Sequence, residues 1–403
     1  MERSSKLIFL FLCLAILQSC SGVYNSRMLK IEVLVPGNAK IPKDYRKAVI
    51  RYNNSNVAPN RLFSSYFEDD KKLPELTNTD SIAAEIYYQV FAEQIKKQQA
   101  FDTIIELEPY DFSNIIISDS LIYKQMENNV NNKAEQFTGV NNEVYQFSQF
   151  LKKYDDAADS NKFKILFIDP EYGLYSKKQI EHIAQTTGAD LFLSFDFFSS
   201  VDGLFSPSYI TSDSTMYYYF SHISREIVYT LACWNVYDLK KMEFARSLQK
   251  LDTIQWTEPV YSFREAKRVL PPRKDAVLNA ADIAGSGFAK YLAPHWIEVE
   301  RMYYHTGQPE SGKTNKLVDE NRWMEAAVIW KKNTTSKNKN VAAKSMFNMA
   351  VACEMNGEMD AAIDWAVKSI YLMENKNDIH TFNCRDYINI LARRKLDIQK
   401  IEN

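Results

Sequence analysis

Gly307-Gln308-Pro309-Glu310-Ser311-Gly312-Lys313-Thr314 satisfies every fixed position of the phosphate-binding pattern G-x-x-x-x-G-K-[ST]. In that chemistry backbone amides cradle the phosphates, Lys313 reaches the terminal ones and Thr314 holds magnesium. The surroundings argue for coincidence. Glu298, Glu300, Arg301 and His305 interrupt the stretch that would have to be a buried strand, and Pro309 removes an amide. Leu166-Phe167-Ile168-Asp169 imitates the acidic partner strand but precedes the loop in the chain. Glu310 to Asp319 reads instead as a short helix with Pro309 at its favoured first position.

The remaining candidates are carboxylates. Asp169, Glu171 and Asp196 fall near the carboxyl ends of expected strands, where α/β sheets gather their ligands. A crevice there could serve a hydrolase or a small-ligand sensor, whereas capping of strand ends is the ordinary role of such residues. His182, His222, His295, His305 and His380 are scattered, with no H-E-x-x-H and no Cys/His pairing at zinc spacing, so neither metal nor cofactor is expected. Gly285-Ser286-Gly287 lacks the spacing of a nucleophile elbow and suits close helix packing. No constellation combines nucleophile, base and oxyanion site.

The elements that would position these groups alternate between strand and helix patterns, which predicts an α/β layer from 28 to 305. Met28 to Val35, Lys47 to Tyr52, Phe101 to Leu107, Phe163 to Ile168 and Asp190 to Phe195 read as strands. Asp80 to Gln99, Asn142 to Lys153 and Ser176 to Gly188 read as helices. A Pro, Ser and Tyr-rich insertion is expected near 199–220. An antiparallel pair follows, Glu226 to Tyr237 and Glu243 to Trp256, then a helix from Lys274 to Leu292 and a last alternating segment, Trp296 to Tyr304.

From 306 to 403 the periodicity is helical throughout. Trp323-Met324-Glu325-Ala326-Ala327 is echoed 36 residues later by Met359-Asp360-Ala361-Ala362-Ile363. In the second copy Asn348, Met349, Gly357, Ala362, Trp365 and Ile370 fall on the spacing of a tetratricopeptide repeat, whose period is about 34. Trp323, Trp330, Asn348 and Trp365 are the candidate partner-binding residues of such a stack. One clear and one degenerate repeat are fewer than the number that stands alone, so the tail needs support from elsewhere in the chain.

The N-terminus carries an address. Arg3 and Lys6 precede an apolar run from Leu7 to Leu17, followed by Leu17-Gln18-Ser19-Cys20. The run is too short to span a bilayer, so residues 1–19 read as a signal peptide. The sequence resembles a bacterial lipobox, which implies acylation of Cys20 and a linker over 20–27. With 49 basic and 51 acidic residues in 403, the chain has no basic excess of the kind a nucleic-acid surface shows. Beyond Cys20 only Cys233, Cys353 and Cys384 remain, an odd count that is no disulfide framework.

Cys20 in its lipobox, Ile31-Glu32-Val33-Leu34-Val35-Pro36, Gly188-Ala189-Asp190, Trp234-Asn235-Val236-Tyr237-Asp238, Pro294-His295-Trp296 and the Trp323 to Ile370 tail together resemble a family of uncharacterised Bacteroidetes lipoproteins with a tetratricopeptide end. More remotely, the layer is similar to the α/β modules of the Tol propeller protein and of curli-secretion lipoproteins. The resemblance implies an α/β mixed sheet, Rossmann-like or anticodon-binding-like, followed by an α-helical tetratricopeptide-like tail. The expected role is a non-enzymatic scaffold or adaptor binding other envelope proteins, lipid-anchored at Cys20. Ser21-Gly22-Val23-Tyr24-Asn25, with no acidic run of the kind associated with surface export, favours the periplasmic face of the outer membrane. The resemblance carries over no functional residue.

Overall fold

The computed structural model describes residues 25–39, 41–54, 66–68, 71–73, 79–108, 175–206, 208–212, 218–373 and 378–402. The signal peptide, Cys20, the expected strand Phe163 to Ile168, the expected helix Asn142 to Lys153, Asp169 and Glu171 lie outside these residues. The chain forms two compact units, residues 37–293 and the combination of residues up to Pro36 with those from Pro294 onward.

In chain order the described elements are β1 (Ser26–Val35), β2 (Lys47–Tyr52), β3 (Tyr66–Glu68), β4 (Lys71–Leu73), α1 (Thr79–Lys97), β5 (Thr103–Leu107), α2 (Lys177–Thr187), β6 (Leu191–Phe205), β7 (Ser208–Ser212), β8 (Tyr218–Asp238) and β9 (Glu243–Val260). There follow α3 (Phe263–Val269), α4 (Arg273–Leu292), β10 (His295–Tyr304), α5 (Ser311–Asp319), α6 (Trp323–Asn333), α7 (Lys339–Met355), α8 (Met359–Leu372) and α9 (Ile379–Glu402).

The unit 37–293 is a mixed sheet. β2 is parallel to both β5 and β6, and β6 is antiparallel to β8, which pairs in turn with β9 and β7. Further along β6, Asp202 to Leu204 pair in parallel with β3, which forms a hairpin with β4. β6 is buried along both faces up to Leu204, so it lacks the alternation that marks a half-exposed strand. One face is covered by α1 and α4. α1 earns its place through Ala83, Ala84, Tyr87, Tyr88, Phe91, Ala92 and Ile95 at helical spacing, all buried. Their core is aromatic: Phe91 and Trp234 ring centroids are 4.3 Å apart, Trp234 stacks on Phe288 at 5.1 Å, and Tyr87 stacks on Phe195 at 5.1 Å. α2 covers part of the other face with Ile180, Ile183 and Ala184. It starts where Gln179 Oε1 accepts from the Ser176 amide, and it ends at Gly188 in the left-handed conformation, φ +58°.

The second unit corrects the division expected at residues 305 and 306. β1 and β10 do not join the sheet; they pair with each other as an antiparallel ribbon, Ser26 opposite Tyr304 through Val35 opposite His295. The cause is their alternation. Ile31 and Val33 lie opposite Val299 and Ile297, while Lys30 and Glu32 lie opposite Glu300 and Glu298 on the other face. Such alternation suits a ribbon with one face packed and the other wet. The ribbon packs instead on helices, β10 against α7 and β1 against α9. Helices α5 to α9 run in succession around a core of Tyr303, Trp323, Trp330, Phe347, Tyr387 and Leu391. The expected insertion near 199–220 is likewise replaced by sheet: β6 runs on to Phe205, and β7 and the start of β8 occupy the rest of its described residues.

Candidate functional site

Asp196, expected at a strand end, lies within β6 and beside a gap in the pairing along one edge of that strand. β2 leaves the edge of β6 after Phe195, and β3 takes up that edge only at Asp202. Between them side chains replace a neighbouring strand. Asn54 Oδ1 accepts from the Phe198 amide at 3.1 Å, and Asp80 at the start of α1 accepts from Ser200 Oγ at 2.5 Å and the Ser200 amide at 3.3 Å. The β6–β8 register shifts between Phe195 and Phe197, a bulge that re-aims Asp196. Asp196 is 3% exposed, and its Oδ1 accepts from Asn53 Nδ2 and from Ser194 Oγ, both at 2.7 Å. Burial pushes the carboxyl up to about 7, outweighing the bonds from Asn53, Ser194 and Asn235.

On the neighbouring strand Arg51 donates to the Tyr175 hydroxyl at 3.2 Å, and on β8 Cys233 Sγ lies 3.3 Å from Ser247 Oγ. Burial pushes the Cys233 thiol up to about 12, so it is no thiolate nucleophile. Asp202, further along β6, is paired with Arg273 at 2.7 Å, and burial lifts it to about 6 in spite of the guanidinium. Among the described residues no group of three or more His, Cys, Asp and Glu could hold a metal ion.

The stack residues expected to face a partner turn inward. Trp330 and Asn348 are fully buried and Trp323 nearly so, while Trp365 is half-buried beneath the Lys368 ammonium, 4.9 Å from its ring. Asn348 clasps the chain's own ribbon: Oδ1 accepts from the Tyr304 amide at 2.8 Å and Nδ2 donates to the Tyr304 carbonyl at 2.7 Å. Beside it Arg301 of β10 makes a bidentate pair with Glu354 of α7, whose Oε2 also accepts from Tyr387 of α9 at 2.6 Å. Arg394 of α9 donates to the Leu34 carbonyl of β1. The helix faces that could have received a peptide are therefore filled by β1 and β10. A shallow depression of about 290 Å³ remains beside Arg322, Met324 and Met355.

The phosphate-loop match takes a structural part too. A strand, β10, precedes it, but that strand pairs only with β1 among the described residues, and antiparallel. The helix begins at Ser311 rather than at Pro309, with Glu310 left-handed at φ +59°. Gly307 is also left-handed, at φ +80°, and Gly312 is the second residue of that helix. Thr314 is buried and donates to the Ser311 carbonyl at 3.1 Å, whereas Lys313 is exposed, 3.9 Å from Glu310. Neither is aimed at a common phosphate.

A cluster not anticipated from the sequence surrounds His380. Its Nδ1 lies 2.8 Å from the Tyr304 hydroxyl, and its Nε2 lies 2.8 Å from Ser369 Oγ and 3.4 Å from Cys384 Sγ. Burial lowers the imidazole to about 4 and raises the thiol to about 11, so both are neutral and the pair is inert as a nucleophile and base. The i, i+4 spacing of His380 and Cys384 on one helix was the available signal.

Residues 312–393 match a family described as a domain of unknown function (DUF6340), and residues 171–304 match a second domain of unknown function (DUF8603). No curated protein matches the sequence. A solved structure, a neuraminyllactose-binding hemagglutinin homolog from Helicobacter pylori, aligns over 63% of this chain and 86% of its own at 8% identity and a TM-score of 0.25. A likeness at that score carries no argument about this chain. Among the described residues no helix is long and apolar enough to cross a membrane.

Proposed function

We propose that the protein is a lipoprotein tethered through Cys20 to the periplasmic face of the outer membrane, where it acts as a non-enzymatic scaffold or adaptor for other envelope proteins. In this reading α6 to α9 are a tetratricopeptide-like stack, and partners meet its outer surface, since its inner one holds the ribbon. The observation that carries the reading is the exposure of large apolar side chains at the junction of α8 and α9: Tyr371 is 85% exposed, Ile379 66% and Phe382 69%. Apolar groups so placed favour burial by a partner. A photo-cross-linking amino acid at Phe382 in intact cells should capture a reproducible envelope neighbour, and Tyr371→Ala should weaken that capture. Labelling at Phe382 no greater than at exposed Glu402 would remove the reading.

The gap beside Asp196 supports a second reading, ligand sensing or hydrolysis, through a buried carboxyl with a raised pKa. A ligand there would lose its affinity in Asp196→Asn while partner capture at Phe382 persisted.

A further inference from the structure

The net charge of −2 conceals a segregated one. Between Glu325 and Glu354 the chain carries Lys331, Lys332, Lys337, Lys339 and Lys344 and no acidic residue. The fold brings these lysines to the end of the helical unit where β1 begins. Asn333, at the end of α6, donates to the Pro309 carbonyl at 3.2 Å. Lys344 Nζ lies 3.5 Å from the position a Cβ on Gly307 would occupy, and Asn25 Oδ1 lies 3.9 Å from the same point. Asn25 is fixed there, its carbonyl accepting from the His305 amide at 3.1 Å and its side chain from Thr306 at 2.7 Å.

Of the acidic groups near this end, Asp319 pairs with Arg27 at 2.8 Å, Glu310 lies 3.9 Å from Lys313, and Asp378 acts on Lys344. Lys331, Lys332, Lys337 and Lys339 are exposed. Helix stability accounts for Lys331 and Lys332, which sit in the last turn of α6. Lys339 is the first residue of α7.

Asn25 is five residues from Cys20. Whatever its conformation, that length of chain reaches at most about 18 Å. An acyl group on Cys20 therefore keeps Asn25, and with it the start of β1, within about 18 Å of the point of attachment. We propose that the surface formed by Lys331, Lys332, Lys337 and Lys339 docks on the anionic phosphate headgroups of the membrane to which the chain is tethered. The lysines orient the helical unit, and the acyl chains supply attachment. The choice of a bilayer as occupant rests on the reading of Cys20 as acylated.

The mature chain carrying Cys20→Ser, which has no acyl group, tests the surface by itself. It should co-sediment with vesicles of phosphatidylcholine mixed with phosphatidylglycerol and not with phosphatidylcholine alone. High salt should release it, and inorganic phosphate at matched ionic strength should not. Replacing Lys331, Lys332, Lys337 and Lys339 together with Gln should lower partitioning by about tenfold or more with the thermal transition retained. Equal binding to both vesicle types, release by phosphate alone, no binding, or indifference to the four substitutions would overturn the docking surface. The mass of the N-terminal peptide from the native protein reports acylation separately. An unmodified Cys20 together with lysine-dependent vesicle binding would remove the tether and keep the surface.

Discussion

At the level of single residues, the side chains that look functional in the sequence divide by what surrounds them. Asn348 has the type and spacing of a repeat residue that reads a peptide, and it does grip an extended backbone, but that backbone is Tyr304 of the same chain. Its two bonds satisfy one donor and one acceptor in a site with no solvent, so truncation leaves both orphaned. Asn348→Ala should cost about 2–4 kcal/mol in urea unfolding. Asn348→Asp should cost more, because its anion faces the Tyr304 carbonyl that the amide had donated to. An Asp variant more stable than the Ala variant would show that the clasp is not holding the ribbon. Asp196 was expected as a strand-end carboxylate from the apolar run before it, whereas β6 runs on to Phe205 and holds Asp196 in its interior. Asn53, which holds it, was not legible, because it stands 143 positions earlier and follows its own strand as an unremarkable polar residue.

Elements were legible wherever one face is buried and the other wet. α1 and α4 follow their periodicity closely, and β9 starts where expected, whereas β8 begins at Tyr218, well before the expected Glu226. Where both faces are buried the pattern fails: in β6 the residues Ser194, Asp196, Ser199, Ser200 and Asp202 read as a strand giving way to a loop, yet the strand continues because Asn53, Asp80 and Arg273 satisfy them. The partner of β1 was illegible for another reason, since alternation reports which face is buried and not what buries it. Helix packing makes a sharper test. A Cβ on Gly285 of α4 would lie 2.4 Å from the Tyr87 carbonyl oxygen of α1, a backbone atom fixed by its own helix. A Cβ on Gly287 would meet only the tip of Lys250, at 3.2 Å. Gly285→Ala should therefore destabilise by about 3 kcal/mol through overpacking. Gly287→Ala should be neutral or stabilising by up to about 1 kcal/mol through helix propensity. Equal effects of the two, measured by urea unfolding, would mean that α1 and α4 do not approach as described.

Across the whole molecule, the two units carry buried titrating groups of opposite sign. Asp196 holds its proton to about pH 7 in the folded sheet unit, whereas an unfolded Asp releases it near about 3.9. The folded state therefore binds more protons in that window, and the unit's stability falls as pH rises from about 4 to about 7, by at most about 4 kcal/mol. His380 is the reverse. Folded it stays neutral to about pH 4, and unfolded it protonates near about 6.5, so the helical unit loses stability as pH falls through that interval. The charged groups acting on His380 are Asp378, which favours its protonation, and Lys344, which opposes it; both are weaker than burial. Hydrogen exchange corrected for intrinsic rates should separate the two. Protection in peptides from β6 and β8 should decline between pH 5 and pH 8, and protection in peptides from α7 and α9 should decline in the opposite direction. Asp196→Asn should flatten the first slope and leave the second, since a neutral amide has no proton to release. Should both units share one slope, or the Asn variant keep the original one, the buried carboxyl is not the group that the sheet unit titrates.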